Sequence, residues 1–296
     1  MVNKIVSFLL LIFVGYILKL IKFLKEEDGE VIKKIVFNIS LPSLILYSLL
    51  TTKFSGDYLI LLILVPLTTI IQFFLIFVFG KLYIKDKKEL STLILSGVMG
   101  NTAFLGYLLV EIFFGANNLP YGILFDQIHL YTFLIIIYPL ITILSGNSIN
   151  NIKSSFISPP IIAFLIGLIL RNFYMPSIII ESLNILKSTT TPLVMLYIGI
   201  NLEFKFSRKD LEYLIPVSVF KLIIFPFLFY FVSSFFTIQI NILNVALLQS
   251  MMPTMMATII YGVQIGLNKK TLAKAVGLTT IISPLTIILL SKFLIK

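Results

Sequence analysis

The chain has 296 residues, 58% of them hydrophobic and 12% charged, with a mean hydropathy of +1.06, and no soluble core of that length hides so much apolar surface. The 23 Lys and Arg against 13 Asp and Glu leave a net charge of +10, which would point to nucleic acid in a soluble protein; here the charges fall in short clusters between long apolar runs, so no nucleic-acid partner is expected. With no cysteine, one histidine, no H-E-x-x-H and no phosphate-binding glycine loop, disulfides, thiolate catalysis, zincin chemistry and a P-loop ATPase are excluded, and neither a metal, a cofactor nor a catalytic residue is expected.

Dividing the apolar runs at charge clusters and turn residues predicts ten membrane spans, roughly 4–21, 31–50, 58–82, 91–112, 121–145, 157–171, 180–202, 211–235, 241–266 and 272–292. Most are near the length that crosses the hydrocarbon layer. A β-barrel is set aside because runs such as 58–80 and 211–235 are apolar on every face instead of alternating. The first run has only Lys4 before it and no small-residue cleavage site after it, which predicts a retained span rather than a signal peptide. The sixth span is short, after Pro159-Pro160, and the seventh has Glu181 and Lys187 in its first turns.

An even number of spans puts both termini on one side. The odd-numbered loops and adjoining helix ends carry sixteen basic residues: Lys19, Lys22, Lys25, Lys33, Lys34, Lys81, Lys85, Lys87, Lys88, Lys153, Lys205, Arg208, Lys209, Lys269, Lys270 and Lys274. The other face carries five, Lys4, Lys53, Arg171, Lys292 and Lys296. Basic flanks resist translocation, so the odd loops are expected in the cytoplasm and both termini outside it, in a multi-pass protein of the cell membrane surrounded by lipid. No loop is long enough for an extramembrane catalytic or sensing domain.

Spacing exposes a repeat. Gly15 to Lys19 reads G-Y-I-L-K and Gly167 to Arg171 reads G-L-I-L-R, an offset of 152. Pro42 lies twelve residues before Phe54 and Pro192 twelve before Phe204, an offset of 150, and Asn101-Thr102 meets Pro253-Thr254 at 152. A near-constant offset predicts two five-helix repeats, 1–145 and 157–296, joined by a short cytoplasmic linker, 146–156. Because five is odd, the second repeat enters the membrane in the opposite sense, as in transporters with an inverted repeat.

Polar and flexible residues then mark candidate sites. The fourth span reads S96-G-V-M-G-N-T-A-F-L-G106, placing Gly97, Gly100, Asn101, Thr102 and Gly106 near mid-depth. The ninth holds Gln249, Ser250, Pro253 and Thr254 at a similar depth. Helix breaks here free backbone N–H and C=O groups that cannot face lipid, so paired breaks point to a substrate site, with Gly100, Asn101, Thr102, Gln249, Pro253 and Thr254 as its candidates. Ordinary packing of glycines and proline kinks explains either helix taken alone. Pro42 beside Asn38 and Ser40, and Pro192 beside Thr191, kink spans two and seven, where polar side chains satisfy the carbonyls that proline frees.

Lys221, ten residues into the eighth span, either counters an anion, replaces a bound sodium ion, or snorkels to steady its helix; its mate at an offset of 149 is Gln72. Lys187 and Glu181 read as an interfacial pair or as separately solvated groups. Glu111, Asp126 and His129 group by predicted depth, as a proton relay or as residues of a solvated vestibule. If the relay operates, His129→Gln abolishes pH-dependent uptake while protein remains in the membrane; an unchanged pH dependence removes it.

The segments N38-I-S-L-P-S-L-I-L46, G100-N-T-A-F-L-G106, T191-P-L-V-M-L-Y-I-G199-x-x-L202 and M252-P-T-M-M-A257 resemble the auxin efflux carrier, or PIN-like, family of membrane transporters, in order and depth across most of the chain. The resemblance implies an all-α membrane protein with crossed, broken helices four and nine, a scaffold part and a transport part in each subunit of a homodimer, and elevator-type movement of a small organic anion such as an auxin-like carboxylate or a dicarboxylate. It matches Asn101 to the first crossover and Pro253 to the second, with Pro42 and Pro192 on supporting helices. Two features depart from the pattern: Gly106 is followed by Tyr107 and Leu108 instead of a G-x-P, and a large central loop is missing. The expected function is secondary transport, with sodium-ion or proton coupling as the candidate driving forces; an anion-permeable channel and a non-transporting sensor or scaffold are the alternatives.

Overall fold

The computed structural model describes residues 2–52, 58–147, 158–202 and 207–295. Phe54 and Phe204 of the repeat, Lys53, Lys153, Lys205 and Lys296 of the charge pattern, and residues 148–156 of the linker lie outside them. The described residues are helical, with no strand among them. Among the described residues, five helices are long and apolar enough to cross a membrane: Glu27–Thr51, Tyr58–Tyr83, Ala116–Leu144, Asp210–Ser233 and Lys269–Leu294. Shorter apolar helices include Leu10–Leu20, Thr102–Phe114, Pro159–Leu170 and Ile240–Ser250. The predicted seventh span is two helices, Ser177–Ser188 and Thr190–Asn201, which meet at Thr189.

The side chains are distributed as lipid demands. Leu62, Ile63, Phe74 and Val78 on one helix and Phe227 and Phe231 on another are exposed, whereas Thr68, Thr69, Gln72, Ser96, Gln249, Ser250 and Thr279 are buried. In water such an apolar exterior would aggregate; in hydrocarbon it costs nothing, and the Thr68, Thr69, Ser250 and Thr279 hydroxyls find partners inside. Helix starts near the charged loops are set by caps that the sequence supplies. Asp86 accepts the Glu89 amide at 2.8 Å, Ser207 and Asp210 form a reciprocal capping box, and Asn268 accepts from the amides of Lys270 and Thr271.

Three of the prolines are accommodated by one recurring device. Five-residue π-turns at Val36–Ser40, Phe133–Ile137 and Phe220–Ile224 each end two residues before a proline, at Pro42, Pro139 and Pro226. The amide just ahead of each proline reaches back five residues: Leu41 to Val36, Tyr138 to Phe133, Phe225 to Phe220. Widening the turn makes room for the ring and keeps a hydrogen bond where the proline has no N–H to give. Around Pro42, Asn38 Nδ2 donates to the Lys34 carbonyl at 2.7 Å, Ser43 Oγ to that of Ile39 at 2.8 Å, and Ser40 Oγ lies 2.7 Å from Thr189 Oγ1. Polar side chains thus bond the Lys34 and Ile39 carbonyls around Pro42, and Ser40 meets Thr189.

Two compact units arise, and each draws on both sides of the linker. The first comprises 1–55, 111–120 and 156–203. Within it the helix Val2–Leu20 packs on Thr190–Asn201 through glycine on both sides. A Cβ at Gly15 would stand 2.6 Å from the Leu196 carbonyl oxygen, and one at Gly199 would run into the Ile12 carbonyl, so the two backbones touch as small-residue pairs allow in membranes. Lys187 pairs with Glu111 at 3.6 Å and lies over the Tyr47 ring, so neither a pair with Glu181 nor separate solvation describes it.

The second unit comprises 56–110, 121–155 and 204–296, and contains both interrupted helices. Gly199→Val is expected to force the glycine-to-glycine contact of the first unit apart at a cost of about 1–3 kcal/mol, read as a lowered unfolding temperature of purified protein in detergent; an unchanged temperature would show that the contact yields freely.

Candidate functional site

Both mid-depth interruptions predicted from glycine and proline are present, and they meet. The helix Lys87–Val98 stops, Met99 turns extended with φ −82 and ψ 126, Asn101 takes φ −78 and ψ 57, and the chain resumes as a π-turn over Thr102–Gly106 running into Tyr107–Phe114. The helix Ile240–Ser250 stops likewise, and Thr258–Gln264 follows after seven residues outside a helix. Between the two breaks runs a single antiparallel bridge, Gly100 opposite Thr254. Asn101 N–H donates to the Pro253 carbonyl at 2.7 Å and Met255 N–H to the Met99 carbonyl at 3.0 Å. Each break therefore satisfies main-chain groups of the other, as the dry interior of a membrane protein requires.

Side chains complete the set. Gln72 Nε2 donates to the Gly97 carbonyl at 2.6 Å, serving the last turn of the first broken helix. Lys221 Nζ lies 3.4 Å from the Ser250 carbonyl, serving the last turn of the second. Thr254 Oγ1 donates to the Ser96 carbonyl at 2.8 Å. At the bridge, the Gly100 amide points at His129 Nε2 over 3.4 Å, and the Thr254 amide donates to Thr279 Oγ1 at 3.1 Å.

His129 is thereby assigned a role. Nε2 accepts from a backbone amide and carries no proton, so the proton is on Nδ1, which is 3.0 Å from Thr69 Oγ1; the Thr69 hydroxyl in turn donates to the Val65 carbonyl at 2.7 Å. The neutral ring completes a chain of hydrogen bonds and packs against Phe225. Asp126, one turn away, holds a different set: Thr102 Oγ1 donates to it at 2.5 Å, Tyr107 OH at 2.6 Å and Gln127 Nε2 at 2.9 Å. Asp126 and His129 thus bind separate parts of the crossover, while Glu111 belongs to the other compact unit, with Lys187.

Of the predicted substrate residues, the Thr102 and Thr254 hydroxyls and the Gln249 amide N–H are already engaged, while Gln249 Oε1 is buried without a partner. Gln249 Nε2 donates to the Gly122 carbonyl at 3.1 Å, and its carboxamide fills the space beside Gly106, where any Cβ would collide with it. Gly106 serves this close approach and not the break itself. Asn101 differs. It is 3% exposed, its backbone is fully used, and its carboxamide makes no hydrogen bond among the described residues. Such an amide suits a ligand that enters the crossover, where Ser96 Oγ, Gln72 Oε1 and Gln249 Oε1 are likewise without a partner.

Lys221 does not snorkel. It has no exposed surface, and its ammonium sits 4.4 Å over the Phe225 ring and 3.1 Å from where a Gly100 Cβ would be. Sequence reasoning gave no role to Gln72, Tyr107 or Thr279. Thr279 was within reach of it, since it stands at an offset of 150 from His129 and does the same work at the opposite strand of the bridge. An open cleft of about 880 Å³ elsewhere in the unit is lined by Asp86, Lys88, Glu89, Asp210 and Lys274 at the charged helix ends. Asp210 and Lys274 pair there at 2.6 Å, and no residue of the crossover lines it.

Thr279→Val, close in volume but without the acceptor, should leave the Thr254 amide unpaired and cost about 1–3 kcal/mol, read as a drop in unfolding temperature; His129→Leu should do the same at Gly100. Equal stability of both variants with the parent would place the acceptors of those amides elsewhere.

Comparison with known proteins gives a consistent picture. The family model described as "membrane transport protein" matches residues 1–291. An uncharacterized transporter of Methanocaldococcus jannaschii is 33% identical over 291 residues, covering 95% of this chain and 94% of the relative. A second uncharacterized transporter, from Methanothermobacter thermautotrophicus, is 27% identical over 284 residues with the same coverage.

Proposed function

Because this chain belongs to the membrane transport protein family, the group to which auxin efflux carriers are related, we propose that it is a secondary transporter that carries a small organic anion across the cell membrane by alternating access. The observation that carries this reading is the meeting of two interrupted helices at Gly100 and Thr254, with Asn101 beside the bridge. A carboxylate there accepts from Asn101 Nδ2 and sits at the start of the helix that resumes at Thr102, where the peptide dipoles favour negative charge. Thr102, Gly100, Gln249, Pro253 and Thr254 shape the site through its backbone.

Ten spans in two inverted five-helix repeats, 1–145 and 157–296, fit this function. What supports them is a correspondence of roles: Gln72 and Lys221, 149 apart, each serve the last turn of the broken helix of their own half, and His129 and Thr279, 150 apart, each accept an amide of the bridge. The first compact unit is the scaffold of a homodimer and the second is the part that moves as an elevator. Both termini lie outside the cytoplasm, on the basic-residue distribution. A proton gradient drives the cycle; Asp126, held by Thr102 and Tyr107, is the carboxylate through which a proton would act on the crossover.

The test is uptake into proteoliposomes across monocarboxylates, dicarboxylates, amino acids and indole acids, with sodium and proton gradients imposed separately. Saturable flux of at least one anion is expected, and Asn101→Ala should reduce it by about 10- to 100-fold, the loss of one hydrogen bond to a charged group, with folded protein retained. Flux of no anion would remove the transport reading; single-channel conductance would replace it with the channel.

A further inference from the structure

The least expected group in the second unit is a fully buried ammonium with no carboxylate against it. Lys221 Nζ is 3.4 Å from the Ser250 carbonyl and 4.4 Å above the Phe225 ring, and no ion pair to it occurs among the described residues. Its surroundings are otherwise those of a small cation. The helix Ile240–Ser250 ends there, and the carbonyls of a last turn carry partial negative charge. The first broken helix, Lys87–Val98, ends close by, since the ammonium lies 3.1 Å from the position a Gly100 Cβ would take. The aromatic face adds a third source of negative potential. The titratable groups on neighbouring elements are already committed: His129 is neutral between the Gly100 amide and Thr69, and Asp126 is engaged by Thr102, Tyr107 and Gln127.

The comparison within the chain sharpens the point. At the equivalent place of the first half, Gln72 donates a neutral N–H to the Gly97 carbonyl. A hydrogen-bond donor alone is therefore enough to serve the end of a broken helix, and the second half places there an amine able to take up a positive charge in addition.

We infer that Lys221 is a tethered monovalent cation, covalently supplying at the ends of the two broken helices the charge that a bound sodium or potassium ion would otherwise have to bring. The crossover is then complete without any dissociable ion, and Lys221 is a positioning residue for the bridge, not a ligand of the transported anion. This inference does not depend on which solute is carried, or on transport at all.

The experiment measures the unfolding temperature of the purified full chain in detergent, in sodium, potassium or choline chloride at equal ionic strength. The parent protein should unfold within about 1 °C in all three salts. Lys221→Met and Lys221→Gln, which vacate the charge, should unfold earlier in choline and recover by about 3–5 °C in sodium or potassium at ten times the dissociation constant of the ion. Lys221→Arg should behave like the parent. Should Lys221→Met fail to yield protein, Lys221→Gln decides the matter in the same way. A parent protein stabilised by sodium over choline would overturn the inference, and so would neutral variants that are indifferent to the cation.

Discussion

Backbone amides and carbonyls released in the middle of a hydrocarbon layer have no water to turn to, and each one left alone costs several kcal/mol. The second unit depends on meeting that requirement at one place. Two helices stop within it, and the strand-like segments that follow hydrogen-bond to each other through Asn101, Pro253, Met255 and Met99. What these cannot satisfy falls to Gln72, Lys221, His129 and Thr279, from helices that are themselves continuous. The break is therefore a stable element of the fold. Around it, Ser96 Oγ, Gln72 Oε1 and Gln249 Oε1 are buried without a hydrogen-bond partner, so the crossover keeps polar atoms in reserve.

The same requirement explains how these helices tolerate their prolines. Pro42, Pro139 and Pro226 each follow a π-turn, so the ladder is widened and shifted by one residue instead of being cut. At Pro253 no such turn forms, the helix ends, and its carbonyls are handed to side chains. Whether a proline bends a membrane helix or ends it thus depends on what its neighbours offer the freed groups.

Much of this was legible in the sequence, because lipid leaves few options. The helical class, the long spans and both mid-depth breaks follow from apolar run lengths and from Gly97, Gly100 and Pro253. Partners across the fold were less accessible. That Thr102 and Thr254 are committed to Asp126 and to the Ser96 carbonyl depends on which helices lie alongside, and a lone chain does not encode neighbour identity in its spacing. Gly106 read as a weak point in a helix because a glycine seated for close packing and a glycine placed for flexibility look alike until Gln249 is seen against it. Lys187 pairs with Glu111 from a distant segment, beyond any pattern of turns along its own helix.

The two main-chain hydrogen bonds that join the interrupted segments belong to atoms every residue possesses. Side chains at Met99, Pro253 and Met255 can change without dissolving that join, provided that proline does not replace Asn101 or Met255, whose amides donate. A lineage built on this fold is free to alter what it carries by exchanging a few side chains around a constant peptide framework. The architecture would then outlast any one choice of cargo.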